Sequence, residues 1–271
     1  MIVTRFAPSP TGLLHLGHAF AAIAAAENGD DFLLRIEDLD RGRSRDDHIE
    51  TIYRDLKWLG LSWDEPVLRQ SRRAPAYAAA LEALGNLGLT YACICTRKEI
   101  ADEIARAGEA QHGPDSPLYP GTCRHLKSVP PDKPYVLRLD AAKAAALAGP
   151  LTFAEHAKIL PVDPARFGDI VLARKDFKGE GWPAAYHLAV VVDDAFQGVT
   201  LVTRGEDLLP ATHPQRLLQA LLGLPEPAYA HHPLVLDENG KKFSKRDSSV
   251  TLASLRESGA TPSDIRARLG L

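Results

Sequence analysis

The chain has 271 residues, 45% of them hydrophobic, which is enough apolar surface for one large domain or two smaller ones. Its formal net charge of −3 argues against a uniformly basic nucleic-acid binder and leaves room only for local cationic patches. No apolar run reaches the roughly 18 residues a membrane span needs, and Met1 is not followed by a basic segment and an apolar core, so the cytoplasm is the expected compartment and no membrane partner is expected.

In chain order, residues 2–7 (IVTRFA) predict a short buried strand, and the alanine-rich run His15 to Asn28 predicts a helix that Gly29 ends. DFLLRIED from Asp31 supplies a second strand. The stretch Asp46 to Leu59 places Ile49, Ile52, Tyr53, Leu56 and Leu59 on one helical face. A further helix is expected from Ala76 to Leu87. The pattern then breaks into cysteines, a Gly/Pro-bearing stretch and a proline cluster near Val129, which reads as an insertion. The βα rhythm resumes with GDIVLARKD, YHLAVVVDDAFQG and VTLVTRGED, followed by a helix near His213. Asn239-Gly240 signals a hairpin or tight loop, and two short helices close the chain. The expectation is an α/β fold with a parallel sheet split in sequence by the insertion. The expected divisions are 1–92 and 169–233 for the two halves of a Rossmann-like catalytic domain, 93–168 for the inserted subdomain, and 234–271 for a basic loop and short helical segment.

RFAPSPTGLLHLGH, at the first strand-to-helix junction, carries the first chemistry. A helix that starts after a tight Pro/Gly loop offers unpaired N–H groups and the positive end of its dipole to an anion such as a triphosphate. His15 and His18, at i, i+3, lie on one side of its first turn, where both imidazoles can reach the same phosphate. Neither GxxxxGK[ST] nor GxGxxG occurs, so the familiar phosphate cradles are missing while the position for one remains. Far along the chain, KKFSKRD (241–247) is a basic loop of the kind a leaving pyrophosphate requires, lysine being a compact charge on a flexible stem. Arg5 and Arg204 fall at predicted strand ends and suit bidentate recognition of a carboxylate; Glu37, at the end of the second strand, suits an ammonium. Cys93, Cys95 and Cys123 supply three thiols for tetrahedral zinc and need a fourth ligand, Tyr119 or His125, between which spacing does not choose; the chemistry of a neutral imidazole favours His125.

RFAPSPTGLLHLGH, RIEDLDRGRS, VTLVTRGEDLL and KFSKR, in this order, resemble the catalytic core of the glutamyl-tRNA synthetases, class I enzymes with HIGH and KMSKS motifs, over nearly the whole chain. The resemblance implies a class I Rossmann-like sheet, with His15 and His18 as the HIGH histidines. It makes Lys242 to Arg246 the KMSKS loop, with Phe243 in place of the usual Met or Leu. His15, Gly17, His18, Ser244 and Lys245 would bind ATP, with His15, His18, Lys242 and Lys245 acting on the transferring phosphoryl. Arg5, Ala7, Ser9, Glu37, Tyr186 and Arg204 would line an L-glutamate site, and magnesium is expected with ATP. C-x-C followed by Y-x-x-x-C resembles the zinc site of a truncated bacterial relative of that family, which favours Tyr119 as the ligand beside Cys93, Cys95 and Cys123 in a structural Zn2+ site.

Two further features, C-x-C followed by Y-x-x-x-C and a chain that ends soon after Arg246, resemble the glutamyl-Q tRNA(Asp) synthetase family. That family activates glutamate without tRNA and transfers it to queuosine at the first anticodon position of tRNA(Asp). On this reading the protein is a monomer whose cleft receives an anticodon loop, with Arg41, Arg43, Arg45, Arg69, Arg72 and Arg73 as phosphate contacts. The competing expectations are a shortened glutamyl-tRNA synthetase charging a 3′ end, another HxGH nucleotidyltransferase such as a pantothenate-synthetase-like ligase, and a catalytically silent RNA-binding relative.

Overall fold

The computed structural model describes residues 1–107, 118–130, 132–174, 184–235 and 250–271. In chain order its elements are β1 (Val3–Phe6), α1 (Leu16–Glu27), β2 (Asp31–Ile36), α2 (Asp46–Trp58), β3 (Leu68–Arg69), α3 (Ala74–Asn86), β4 (Thr90–Cys93) and α4 (Arg97–Ala107). There follow β5 (Val136–Leu139), α5 (Ala141–Ala148), β6 (Thr152–Glu155), β7 (Lys158–Pro161), β8 (Val171–Ala173) and α6 (Tyr186–Phe196). The chain closes with β9 (Leu201–Gly205), α7 (Thr212–Leu222), β10 (Ala228–His232), α8 (Leu252–Glu257) and α9 (Pro262–Leu269). No helix among the described residues is long and apolar enough to cross a membrane. Two compact units emerge: Met1–Arg72, Gly198–Leu209 and Pro227–Leu271 form one, and Arg73–Gln197 with Pro210–Glu226 form the other.

The first unit is the α/β part. β1 pairs in parallel with β2, and β2 with β3, while β9 pairs in parallel with β10. Thr200 N–H donates to the Val3 carbonyl at 3.0 Å and Val3 N–H to Thr200 Oγ1 at 2.9 Å, which brings the start of β9 alongside β1. Alanines line the buried side of α1, so its backbone lies close to β1; Thr4 Oγ1 donates to the Ala25 carbonyl at 2.7 Å. Gly29 follows from the same closeness, since a Cβ there would sit 2.8 Å from the Asp31 carbonyl and collide with Thr4. α2 buries Ile49, Ile52 and Leu56 in a core shared with Leu14, Ala19, Ala22, Leu34, Ile36 and Leu252.

The second unit holds a three-stranded antiparallel sheet, β4-β5-β8, a β6–β7 hairpin, and the helices α3, α4, α5, α6 and α7. Here one sequence expectation changes. GDIVLARKD was expected to resume the βα rhythm of the parallel sheet, but its strand, β8, pairs antiparallel with β5. A strand of three residues carries an apolar signal without any signal for its direction. Beneath α3 and α6, the fully buried Asp193 carboxylate accepts from Tyr77 Oη at 2.6 Å and Arg73 Nε at 3.1 Å, which meets the requirement that a buried charge be paired and hydrogen-bonded.

α8 is fastened to α2 by one ion pair, Arg256 Nη1 to Asp55 Oδ1 at 2.9 Å, with Asp55 fully buried. Burial pushes the Asp55 carboxyl up to about 6, against the opposing pull of Arg256. A folded carboxyl that keeps its proton to higher pH than the unfolded one contributes most below the unfolded value near 4 and gives that contribution up as pH climbs through 6. Removing the cation leaves the ionised acid buried and alone. We therefore expect Arg256→Leu to cost about 3 kcal/mol at pH 8 and roughly 1 kcal/mol at pH 5 in chemical denaturation. An equal loss at both pH values would remove Asp55 titration from the explanation.

Candidate active site

The first turn of α1 forms its own cap. His15 is the N-cap, in extended backbone, and its Nδ1 accepts the Gly17 N–H at 3.2 Å, while His18 Nδ1 accepts the His15 N–H at 3.2 Å. This is a capping box built from imidazoles instead of the usual hydroxyl and carboxylate. It holds the two rings 3.8 Å apart, centroid to centroid, at 42°. A Cβ on Gly17 would lie 3.2 Å from the His15 ring, so glycine keeps the ring against the helix end. With Nδ1 of each histidine accepting from the backbone, Nε2 carries the ring proton in the neutral tautomer. The arrangement can present two N–H donors and a helix N-terminus to an anion.

The chain returns to this spot from its far end. His15 and Thr251 form an antiparallel bridge, and Leu252 N–H donates to the Leu14 carbonyl at 2.8 Å. Thr251 caps α8 by accepting from Ser254 N–H. Lys242, Phe243, Ser244, Lys245 and Arg246, together with the Asn239-Gly240 signal, lie outside the described residues.

Of the residues expected to hold an amino acid, five lie in the first unit. Arg5, in β1, is 5% exposed and donates through Nη1 to the Thr203 carbonyl at 3.3 Å. Arg204, in β9, is 6% exposed and donates through Nε to His231 Nε2 at 3.0 Å. Ala7 and Ser9 lie half-buried in the loop after β1, where the Pro8 carbonyl accepts from Glu37 N–H at 3.1 Å and ties that loop to the end of β2. The Glu37 carboxylate meets Arg35 Nη2 at 3.3 Å, and Arg35 is fully buried, a partner that the sequence pattern did not point to. Tyr186 belongs to the second unit, where it starts α6 with its ring 5.4 Å from that of His187.

The arginines expected to face phosphates divide. Arg41, Arg45 and Arg69 line a recess of about 290 Å3 with Asp38, Ser44 and Ser71. Asp38, 3% exposed, organises it, accepting from Arg69 Nε at 2.9 Å, Ser71 N–H at 2.7 Å and Ser71 Oγ at 2.7 Å. Arg43 turns to Asp40 at 2.7 Å, and Arg73 is taken up by Asp193 in the second unit. Asp38 went unread in the sequence because RIEDLDRGRS offers three acidic residues and no pattern that ranks them.

In the second unit the three thiol sulfurs of Cys93, Cys95 and Cys123 lie within 4.8 Å of one another. Tyr119 Oη sits among them, 3.3 Å from Cys93 Sγ and 3.5 Å from Cys95 Sγ, and accepts the Cys123 N–H at 2.9 Å. His125 is exposed and outside this cluster. Tetrahedral zinc with bonds of about 2.3 Å separates its thiolates by about 3.8 Å, so the donor set and its spacing fit that ion. Burial pushes the Cys95 thiol up to about 12, whereas Cys123 falls below the usual thiol range because hydrogen bonds from Tyr119 and the Ile94 N–H outweigh burial. Beneath the cluster, Arg138 stacks its guanidinium 3.9 Å from the Tyr119 ring centroid, and Asp169 collects Tyr91 Oη at 2.5 Å and Arg124 Nη2 at 2.6 Å.

The model of the family described as tRNA synthetases class I (E and Q), catalytic domain, matches residues 1–271. A glutamyl-Q tRNA(Asp) synthetase of Rhodobacter capsulatus is 48% identical over 285 residues, covering 100% of both chains. A glutamate–tRNA ligase of Aquifex aeolicus is 40% identical over 96% of this chain but only 55% of its own length. Among solved structures, the glutamate-tRNA synthetase of Elizabethkingia anophelis superposes with a TM-score of 0.75 at 29% identity, covering 96% of this chain and 59% of that one. The chain thus spans little more than half of these two longer relatives. The fold is the α/β class I synthetase fold with its parallel sheet.

Replacing Asp38 by Asn keeps its shape but loses the charge that pairs with Arg69 and sets an NH2 group against existing donors. Asp38→Asn is expected to cost about 3 kcal/mol in urea unfolding. A loss below about 0.5 kcal/mol would show that the carboxylate is not the organising group.

Proposed function

The chain belongs to the class I tRNA synthetases of the glutamate and glutamine branch, and from that premise we propose that it activates L-glutamate with ATP, without tRNA, and transfers it to queuosine at the first anticodon position of tRNA(Asp). As a member of that family it is a ligase. The observation that carries the finer reading is the match along both entire chains to a protein named glutamyl-Q tRNA(Asp) synthetase.

In the first step a glutamate α-carboxylate oxygen bonds to the α-phosphorus of ATP while the bond to the bridging oxygen breaks, and the electron pair leaves with pyrophosphate. No protein nucleophile is required; positioning and charge stabilisation carry the rate. The Nε2–H groups of His15 and His18 and the α1 N-terminus stabilise the α-phosphoryl, and Lys242, Ser244 and Lys245 stabilise the departing pyrophosphate; magnesium bound with ATP would supply further charge neutralisation. Arg5 and Arg204 hold carboxylate, Glu37 takes the ammonium, and Ala7, Ser9 and Tyr186 complete the glutamate site. In the second step a queuosine hydroxyl oxygen attacks the acyl carbon and adenylate leaves as AMP, the hydroxyl proton passing to solvent or phosphate. Segment 93–168 faces the acceptor nucleoside, with Cys93, Cys95, Cys123 and Tyr119 holding a zinc ion that braces it. Arg41 and Arg45, around the Asp38 recess, take RNA phosphates. A monomer in the cytoplasm meets these requirements.

The Aquifex aeolicus match favours a second reading, acylation of a tRNA 3′ end. Incubation with labelled glutamate, ATP and tRNA(Asp) from cells with and without queuosine separates the two. We expect labelling only with queuosine; labelling indifferent to it would transfer the chain to the second reading.

The activation step has its own check. Glutamate-dependent exchange of pyrophosphate into ATP is expected without tRNA, and His15→Ala or Lys245→Ala should lower it by about a hundredfold or more in folded protein, His15→Ala also losing about 1 kcal/mol of stability with the α1 cap. Full exchange in both variants would take these residues out of the chemistry. One zinc per chain is expected by elemental analysis, with little retained in Cys123→Ser; equal metal in that variant would exclude the cysteine cluster.

A further inference from the structure

We propose that His231 is a positioning residue for amino-acid selection: its Nε2 accepts a hydrogen bond from the Nε–H of Arg204 and so fixes the guanidinium plane that grips the substrate's side-chain carboxylate. The proposal deepens the reading above and rests on it, since that reading gives Arg204 its ligand.

The register of the parallel pair β9 and β10 sets His231 directly opposite Arg204. Both side chains are buried, 8% and 6% exposed, and the Nε to Nε2 distance is 3.0 Å. A guanidinium has only donors and keeps its proton throughout the working range, so the imidazole nitrogen facing it must carry a lone pair. His231 is thereby held as the neutral tautomer with its proton on Nδ1. Tyr229, two residues earlier on the same strand face, is 1% exposed and stacks on the His231 ring at 6.1 Å with the planes 6° apart. The Arg204 guanidinium lies 5.6 Å from the Tyr229 ring centroid, so the tyrosine braces both members of the pair.

The chemistry of this partner matters. A carboxylate on Arg204 Nε would also fix the plane, but it would cancel much of the charge a glutamate must use. A neutral imidazole orients the cation without itself bringing an opposing charge. Bidentate recognition then depends on the plane, because two parallel N–H···O bonds form only when guanidinium and carboxylate are coplanar. A tilt of the plane weakens the grip on a carboxylate far more than it disturbs the ATP site built at α1.

The test is the exchange reaction without tRNA, measured as KM for glutamate and for ATP and kcat, in wild type, His231→Leu, His231→Gln and His231→Asn. Leucine removes the acceptor. Glutamine places an amide oxygen near the Nε2 position, whereas asparagine is too short to reach it. We expect His231→Leu and His231→Asn to raise KM for glutamate by tenfold to hundredfold, on the order of the cost of a misplaced binding group. KM for ATP should stay within about twofold, and His231→Gln should recover most of the loss. A glutamate KM unchanged in the leucine and asparagine variants, or KM values for glutamate and ATP rising together without rescue by glutamine, would overturn the proposal and leave His231 a packing residue. Should the leucine variant fail to fold, the glutamine and asparagine pair still decides. Absence of glutamate-dependent exchange in the wild type would overturn the proposed activity and this inference with it, an outcome distinguished because it needs no variant.

Discussion

The hydrogen bond from Leu252 N–H to the Leu14 carbonyl, with the His15–Thr251 bridge beside it, joins residues more than 230 positions apart at the N-terminus of α1. Helix starts leave N–H groups without intrahelical partners, and here the N–H groups of His15 and Gly17 meet two imidazoles while the returning chain donates to the carbonyl just before them. In sequence KFSKR falls between β10 and Thr251, both of which belong to the first unit. The α8 anchorage depends on the same docking, since Leu252 and Leu255 enter the core around α2 while Arg256 answers the buried Asp55.

Buried charge is the second organising cost. Arg5, Arg35, Arg204, Asp38 and Asp55 in the first unit, and Asp169 and Asp193 in the second, are all nine-tenths or more buried, and each has a named partner. Burying an ion without one would cost several kcal/mol, so each pair constrains where its strands can lie. The thiol cluster shows the same economy without charge pairs. A single phenol oxygen lies close to two sulfurs and accepts a backbone N–H, while Arg138 and Asp169 fix the ring and the strands below it.

What the sequence made legible follows from periodicity and punctuation. The strand–loop–helix opening, the amphipathic α2 and the closing helices were readable because alanine runs, the 3.6-residue period and glycine stops are local signals. The boundaries shifted by a residue or two; His15 serves as the cap where it was read as the first helical residue. Pairing partners were not readable. β8 turned antiparallel, and β10 went unrecognised because AYAHH lacks a β-branched run and owes its strand to the neighbouring β9. His231 was invisible for the same reason: its meaning lies in register, which a single sequence does not display. Asp38 and Asp169 gain significance only from neighbours distant in sequence.

The proposed reaction asks two different things of its cations. Choosing glutamate over a neutral isostere requires donors fixed within a fraction of an ångström, because an unmet buried donor is what penalises the wrong side chain. Arg5 and Arg204 ride on strands, inside hydrogen-bonded registers that leave them little freedom. A departing pyrophosphate changes position during the step, so its partners must be able to follow it, a task for which the flexible stem of lysine is suited. His231 belongs to the first category, and its neutral ring is the device by which a buried strand can orient a cation without itself bringing an opposing charge.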